Sequence, residues 1–225
     1  MGPAREPLRV IVTRPREQAG ELAERLAALG FEVVLCPLLE LESIGPDEID
    51  VTGYDWVVVT SPRGAHEVAR RRVGDLSRVA AIGPGTAAAL REHKIDAALV
   101  PRVSTQEGLV AELPSPPGRV LFAGAEDARS YLAEALDAET VVLYRTREVR
   151  PERPPDGDLV VLASASAARA FAALELDLPA VSIGPETSRE ACAHGIDVIA
   201  EAKSHDLNGL VETTASAARM LGRIS

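Results

Sequence analysis

The five residues Ile82-Gly83-Pro84-Gly85-Thr86 return 101 positions later as Ile183-Gly184-Pro185-Glu186-Thr187. Around this pair, residues 82–110 align with residues 183–211 without a gap, with 10 identities in 29 positions. A repeat of this length indicates two copies of one supersecondary unit. In both copies an apolar run leads into the motif and a segment of helical period follows it, so we expect a strand, a turn and a helix in each.

Short Val- and Ile-rich runs alternate with helical segments along the rest of the chain. Most runs are continuously apolar, as in residues 56–59, which is typical of strands covered on both faces. We predict strands near residues 8–12, 31–35, 55–60, 78–83, 96–100, 119–123, 140–144, 158–163, 180–184 and 196–200. We predict helices near residues 16–29, 62–71, 86–93, 105–113, 127–137, 166–174, 187–194 and 206–221. This alternation predicts the α/β class, with parallel sheets flanked by helices.

The lengths of the connections predict the domain organisation. A weaker similarity links residues 9–35, in segment A, to residues 119–144, in segment A′. Each is followed by a segment that contains one copy of the repeat, residues 82–110 in B and residues 183–211 in B′, so the order along the chain is A, B, A′, B′. The connection from B to A′, residues 114–118, is short, whereas the other two are long and irregular. Short connections favour spatial neighbours. We therefore predict two similar five-stranded parallel-sheet domains, one inserted in the other and joined by a two-stranded hinge. Residues 38–149 form the inserted domain with the hinge strands, and residues 1–37 plus 150–225 form the discontinuous domain.

Composition excludes several classes of protein. The 225 residues are 46% hydrophobic, enough for one large or two small globular domains. The net charge of −10 and the absence of a basic tract argue against a nucleic-acid binder. No apolar run is long enough for a membrane helix, and the first residues lack the apolar centre of a signal peptide, which predicts a cytoplasmic protein. Cys36 and Cys192 exclude a disulfide scaffold and are predicted as core residues.

Polar residues recur at the turns that follow the predicted strands. Ligands of open parallel sheets bind beyond the carboxyl ends of the strands, at these turns. A hydroxyl or glycine at the start of a helix leaves backbone N–H groups that attract anions. Plain helix capping is the alternative at any single turn, as for Ser104 and Glu107, which read as a capping box. The recurrence favours a site for a ligand with several negative groups. The candidate residues are Thr13, Arg14, Pro15, Ser61, Arg63, Gly83, Thr86, Gly124, Ser164, Gly184 and Thr187.

Few other residues are candidates for catalysis or metal binding. The chain contains no dinucleotide-binding glycine motif, no Walker A motif, no metalloprotease helix motif and no nucleophile elbow. His93 and His194 occupy equivalent repeat positions and are predicted at helix carboxyl ends, while His66 and His205 have no partner in the sequence, so no metal site is predicted. Tyr144 ends the last strand of the inserted domain, where it acts as a proton donor or acceptor or as an aromatic wedge.

From end to end, the chain resembles uroporphyrinogen-III synthases. The resemblance lies in the order and spacing of seven segments: residues 12–15, 59–63, 82–86, 104–109, 143–146, 164–166 and 183–187. It implies two α/β domains joined by a two-stranded ladder. It also implies cyclisation of hydroxymethylbilane, a linear tetrapyrrole, with inversion of ring D through a spiro intermediate and loss of water. No cofactor and no metal are implied.

The resemblance also implies roles for single residues. Tyr144 matches the family's tyrosine suspected of assisting the loss of water. Ser61, Thr86, Ser164 and Thr187 match hydroxyl positions that line the site. Thr13, Arg14 and Arg63 are the expected carboxylate contacts, while Ala163-Ser164-Ala165 departs from the usual Thr-Ser-Pro type of turn.

Three interpretations of function stay open. The first is a monomeric synthase that makes at most transient contact with hydroxymethylbilane synthase. The second is a non-catalytic sensor or binding protein of the same fold that takes a tetrapyrrole or another anion. The third, a nucleotide-binding enzyme, is weakened by the missing phosphate motifs.

Overall fold

Parallel strands and helices alternate along the computed structural model, which describes residues 6–220. The elements in chain order are β1 (Arg9–Val12), α1 (Arg16–Ala28), β2 (Glu32–Leu35), β3 (Leu39–Ser43), β4 (Ile49–Asp50), β5 (Trp56–Val59), α2 (Pro62–Arg71), β6 (Arg72–Val73), β7 (Val79–Ala81), α3 (Pro84–Glu92), α4 (Gln106–Glu112), β8 (Val120–Ala125), α5 (Tyr131–Leu136), β9 (Glu139–Glu148), β10 (Leu159–Leu162), α6 (Ala165–Ala172), β11 (Ala180–Ser182), α7 (Pro185–Ala193), β12 (Val198–Glu201) and α8 (Leu207–Met220). No helix within residues 6–220 is long and apolar enough to cross a membrane.

The chain divides into two compact units. Unit 1 comprises the described residues up to Glu40 and from Arg147 onward, and unit 2 comprises Leu41–Thr146. These divisions differ by three residues from the predicted boundaries at 37/38 and 149/150. The chain crosses between the units within β3 and within β9, which are neighbouring strands.

Unit 1 is built on a five-stranded parallel sheet in the order β12-β11-β10-β1-β2. Helices α1 and α8 pack on one face through residues such as Leu26 and Leu210. Helices α6 and α7 cover the other face through residues such as Phe171 and Ala191. Because both faces are covered, β10 is apolar and buried along its whole length.

Unit 2 has a five-stranded sheet in the order β3-β9-β8-β5-β7, of which the last four strands are parallel. Along β5 successive side chains alternate between the two faces. Val57 and Val59 pack against α2 and α3, whereas Trp56 and Val58 pack against α4 and α5. The α/β class and the two five-stranded sheets are confirmed.

The fifth strand of unit 2 differs from the prediction. Residues 96–100 form only an isolated bridge between Ala80 and Leu99. The opposite edge strand of the sheet is β3, which runs antiparallel to β9. Ile44 N–H donates to Leu143 O, and Val149 N–H donates to Leu38 O. Strand β3 lies in the first of the two long connections that were predicted as irregular, although Leu39-Glu40-Leu41-Glu42 alternates as a half-exposed strand does.

Local details correct three further expectations. Thr105, and not Ser104, caps α4, because its side chain accepts a hydrogen bond from Gly108 N–H. Cys192 is exposed on α7, whereas Cys36 is buried as predicted. Helix α5 begins at Tyr131 and not at residue 127.

The repeated glycines at the starts of α4 and α8 lie against the preceding loop. A Cβ atom at Gly108 would lie 2.2 Å from Val103 O, and one at Gly209 would lie 2.0 Å from Ser204 O. These contacts involve backbone atoms, so relief requires movement of the loop. The identity of the two positions in the repeat therefore reflects close packing.

Gly108→Ala is expected to lower the free energy of unfolding of unit 2 by about 1–3 kcal/mol, because overpacking forces the backbone to shift. Trp56 is the chain's one tryptophan and is buried in unit 2, so its fluorescence during denaturation follows this unit. Gly85→Ala is the control, since a Cβ atom there meets nothing within 4 Å. Equal unfolding midpoints for the two variants would contradict the packing argument.

Candidate functional site

Polar and glycine residues gather at the carboxyl edge of the sheet in unit 2. Going across the neighbouring strands β9, β8, β5 and β7, this edge presents Tyr144, Gly124, Ser61 and Gly83 in turn. Helices α2 and α3 start directly after Ser61 and Gly83, each with a proline in its first turn. The edge therefore brings together a phenol, a hydroxyl and the N–H groups of two helix starts.

Tyr144 and Ser61 form the most specific contact at this edge. Their side-chain oxygens lie 2.8 Å apart, although β8 lies between β9, which carries Tyr144, and β5, which ends just before Ser61. Ala123 shares the buried cluster of Tyr144, and Ala125 packs against it, so small residues on β8 accompany the aromatic ring. Ser61 Oγ already accepts a hydrogen bond from Gly64 N–H at 2.9 Å. Its own hydrogen can therefore go to the phenol oxygen, which leaves the phenol O–H for another acceptor.

The environment of Tyr144 keeps the phenol protonated. The residue is only 9% exposed. Burial raises the pKa of Tyr144 above its ordinary value of 10, and the hydrogen bond with Ser61 opposes this rise only in part. Because the pKa lies well above neutrality, the group is a hydrogen-bond donor and a weak acid at pH 7.

Arg63 lies beside this pair but is engaged within unit 2. Its Nη2 atom donates to Ser43 Oγ at 2.8 Å and lies 3.1 Å from Glu67 Oε1. Its side chain is 23% exposed, so the guanidinium is partly accessible although Ser43 and Glu67 contact it. Arg63 remains a candidate carboxylate contact with a fixed orientation.

Gly83 and Thr86 occupy the first turn of α3. A Cβ atom at Gly83 would lie 2.7 Å from Ser104 Oγ, so the absence of a side chain admits this loop. Thr86 is buried, with 3% exposure. Gly124 accommodates the Phe122 ring, since a Cβ atom there would lie 3.0 Å from it.

Unit 1 carries the corresponding edge at β1, β10 and β11. Thr13 is fully buried, and its hydroxyl donates to Val161 O, so this side chain joins two strands of the sheet and offers no free contact to a ligand. Its predicted role as a carboxylate contact is therefore not supported by its position. Arg14 stands at the edge, where its Nη2 atom donates to Gln18 Oε1. Burial lowers the pKa of Arg14, which nevertheless stays charged at neutral pH. Pro15 precedes the first turn of α1.

The repeat positions in unit 1 match those in unit 2. Ser164 caps α6 by accepting from Ala167 N–H, as Ser61 caps α2. Gly184 precedes α7 and lies against the ring of His205, just as Gly83 lies against Ser104. Thr187 is as buried as Thr86. The departure at 163–165 thus leaves the capping hydroxyl in place.

The histidines differ from the prediction in one respect. His93 and His194 end α3 and α7, as predicted. His66, which has no partner apparent in the sequence, lies with Nδ1 2.8 Å from Nε2 of His93. Within residues 6–220, no three His, Cys, Asp or Glu side chains are grouped so as to hold a metal ion.

A buried charged cluster that was not predicted lies next to the candidate edge. Glu67 and Arg71 are buried, and Glu67 receives a hydrogen bond from Ser43. Burial acts to raise the pKa of Glu67, but the hydrogen bonds from Ser43 and Arg70 and the charges of Arg71 and Arg63 outweigh it, so the pKa lies below its ordinary value. The available signal was the spacing of Arg63, Glu67 and Arg71 on one helix face.

These features define a class: an α/β protein of two units, one with a parallel sheet and one with a mainly parallel sheet, and with polar side chains gathered where the parallel strands of each sheet end. Its two edges repeat the same glycine, proline and hydroxyl positions.

Comparison with known proteins identifies the family. Residues 20–212 match the family described as uroporphyrinogen-III synthase HemD. This match covers most of the chain, so the protein belongs to the uroporphyrinogen-III synthase family.

The individual relatives share less than a third of their aligned residues with this chain. The chain is 28% identical to a putative uroporphyrinogen-III synthase of Methanocaldococcus jannaschii, over 63% of each protein. It is 26% identical to the porphyrin biosynthesis protein HemD of Ruminiclostridium josui, over 87% of this chain and 46% of that protein. The chain thus spans less than two thirds of these relatives. A variant of uroporphyrinogen III synthase from Thermus thermophilus shares the fold, with a TM-score of 0.51, 16% identity, and 96% and 99% of the two chains covered.

Proposed function

We propose that this protein is a uroporphyrinogen-III synthase, which cyclises hydroxymethylbilane to uroporphyrinogen III in tetrapyrrole and heme biosynthesis. The observation that carries the proposal is the buried phenol of Tyr144, hydrogen-bonded to Ser61 at the carboxyl edge of the sheet in unit 2. Membership of the synthase family supports the same assignment.

The first chemical step is the loss of water. The terminal hydroxyl of hydroxymethylbilane takes up a proton and leaves as water. The pyrrole N–H of the same ring gives up its proton, so the ring and its methylene carbon become an electrophilic azafulvene. In our proposal Tyr144 supplies or directs the proton that the hydroxyl takes up, acting as a general acid. Ser61 orients the phenol, because its hydroxyl is fixed by Gly64 N–H on one side.

The later steps need conformational control more than acid or base strength. The substituted carbon of ring D attacks the azafulvene and forms a spiro intermediate, which opens and closes again with ring D turned over. Without an enzyme, the same precursor closes directly to isomer I. The protein must therefore hold the chain in the less direct geometry, which is catalysis by orientation. This scheme draws on side chains and backbone groups alone, so we propose that no cofactor takes part.

The protein is expected to control the conformation of the substrate by binding its carboxylates. The helix starts at Ser61, Gly83, Ser164 and Gly184 offer N–H groups and the positive end of a helix dipole. Arg14 and Arg63 add guanidinium groups that suit carboxylates. These local groups act against the net charge of −10, which opposes long-range attraction of an anion. The expected setting, a cytoplasmic monomer supplied by hydroxymethylbilane synthase, stays a prediction.

A coupled assay tests the proposal. Hydroxymethylbilane is generated by purified hydroxymethylbilane synthase in the presence of this protein, and the products are oxidised and separated by chromatography. We expect the rate of isomer III formation to rise in proportion to the amount of this protein. Binding of the bilane without isomer III would instead indicate the non-catalytic binding protein.

The hydroxyl of Thr86 is expected to contribute to substrate binding. Thr86→Val preserves the shape of the side chain and removes one hydrogen bond to a charged group, so the KM for hydroxymethylbilane is expected to rise about tenfold with little change in kcat. Thr86→Ser retains the hydroxyl and is expected to restore the KM. Thr214→Val is the control, because that hydroxyl donates to Leu210 O within α8. An unchanged KM in Thr86→Val would restrict Thr86 to packing in α3.

A further inference from the structure

Strand β9 is irregular where it carries Tyr144. Gly124 pairs with Val142, but the next residue of β8, Ala125, pairs with Tyr144. Leu143 is therefore an extra residue on β9, which makes this a β-bulge. Bulges are rare between parallel strands, and they redirect the side chains beside them. Here the extra residue, Leu143, and the residue after it, Tyr144, are both buried in the same apolar cluster.

The bulge is held by a guanidinium from α2. Arg71 Nη2 donates to Leu143 O at 3.2 Å, and the N–H of Ile44 donates to the same carbonyl. Arg71 Nη1 donates to Ile44 O at 2.6 Å and to Pro46 O at 3.2 Å. One side chain thus joins the backbone at the end of β3 to the backbone of β9 directly before Tyr144.

Glu67 holds Arg71 in turn. Arg71 Nε lies 2.8 Å from Glu67 Oε2, and the two side chains are only 4% and 5% exposed. A buried ion pair is expensive to desolvate, and an apolar pair of similar size often gives equal or greater stability. The bonds from Arg71 to three backbone carbonyls, one of them in the bulge, give this pair a specific geometric task.

We propose that Arg71, fixed by Glu67, is a positioning residue that locks the Leu143 bulge and thereby aims the phenol of Tyr144 at Ser61. The catalytic effect of the oriented phenol rests on the proposed function. The geometric claim, that Arg71 sets the orientation of Tyr144, is independent of it.

The orientation is measured by NMR of protein labelled with ¹³C at tyrosine Cζ. The chain has three tyrosines, and Tyr144→Phe identifies the signal of Tyr144. Arg71→Lys keeps a positive charge beside Glu67 but removes the planar fork that reaches three carbonyls. We expect Arg71→Lys to shift the Tyr144 signal and to leave those of Tyr54 and Tyr131 in place. Arg70→Met is the matched control, because Arg70 contacts Glu67 but is 63% exposed.

Activity provides the second measurement. Arg71→Lys is expected to lower kcat for isomer III about tenfold at an unchanged KM, since small misplacements of a reacting group are costly. In the Tyr144→Phe background the same change is expected to cost less than about twofold, because the group that it positions is already gone. Arg70→Met is expected to leave kcat and the Tyr144 signal unchanged.

The outcomes separate the two claims. A Tyr144 signal that stays in place in folded Arg71→Lys, or rate losses that multiply in the double variant, would overturn the positioning role. If Arg71→Lys fails to fold, as judged by Trp56 fluorescence, Glu67→Gln replaces it, with the same expected shift and the same contrary result. If the wild-type protein makes no isomer III, the proposed function fails, and the NMR measurement alone decides the role of Arg71.

Discussion

Tyr144→Phe is expected to lower the rate of isomer III formation about 100-fold, the lower end of what a positioned general acid contributes. The variant keeps the aromatic ring that packs in the core of unit 2 and removes only the hydroxyl that meets Ser61. The fold is therefore expected to persist. The measurement is kcat from chromatographic separation of isomers I and III, with hydroxymethylbilane supplied by the coupled synthase.

Tyr131→Phe provides the matched control for this prediction, because Tyr131 is exposed at the start of α5. It is expected to retain wild-type kcat. Wild-type kcat in folded Tyr144→Phe would remove the acid role and leave Tyr144 as a packing residue. A rise in KM with an unchanged kcat would indicate that the phenol only binds substrate.

Glu67→Gln is expected to lower the free energy of unfolding of unit 2 by about 3 kcal/mol at pH 7. Removing one partner from a buried ion pair leaves the other charge uncompensated. Here Arg71 stays buried, and Arg63 and Arg70 lose the carboxylate that they share with it. Trp56 fluorescence during urea unfolding follows unit 2.

The effect of Glu67→Gln is expected to depend on pH. The pKa of Glu67 in the folded protein lies below the ordinary value of 4.5. Its stabilisation is therefore complete above that ordinary pKa and is lost as the pH falls through the folded pKa. The difference between wild type and variant should be constant from pH 7 to pH 6 and should shrink below about pH 4.5.

Glu139→Gln is the control for Glu67→Gln, because Glu139 forms an exposed ion pair with Arg119. Exposed pairs contribute little to stability, so no measurable change is expected there. A difference for Glu67→Gln that does not shrink on acidification would contradict the assigned ionisation of Glu67.

Much of the fold could be predicted from the sequence because its two signals, the apolar runs and the internal repeat, can be read from short stretches of the chain. Strands such as β5 and β10 are continuous apolar runs, and the repeat around Gly83 and Gly184 fixed two equivalent strand–turn–helix segments. Strand β3 was missed because it is half exposed and pairs with β9, about 100 residues away. The edge strand predicted at 96–100 reduces to a bridge at Leu99.

The candidate site divides in the same way. Ser61, Gly83 and Tyr144 were predictable, because the carboxyl ends of parallel strands share one edge. The bulge at Leu143 was not, since register depends on pairing with β8 and on the guanidinium of Arg71. Thr13 shows how a position beyond a strand end can be engaged within the sheet. Its place after β1 suggested a ligand contact, but the pleat turns its hydroxyl to Val161 O.

We propose that this protein directs hydroxymethylbilane to isomer III through the edge that carries Tyr144. The most direct measurement is the isomer composition after a single turnover with the protein in excess over hydroxymethylbilane, with heat-denatured protein as the blank. We expect a product dominated by isomer III, formed faster than spontaneous closure. A product of isomer I alone, formed at the rate of the blank, would contradict it.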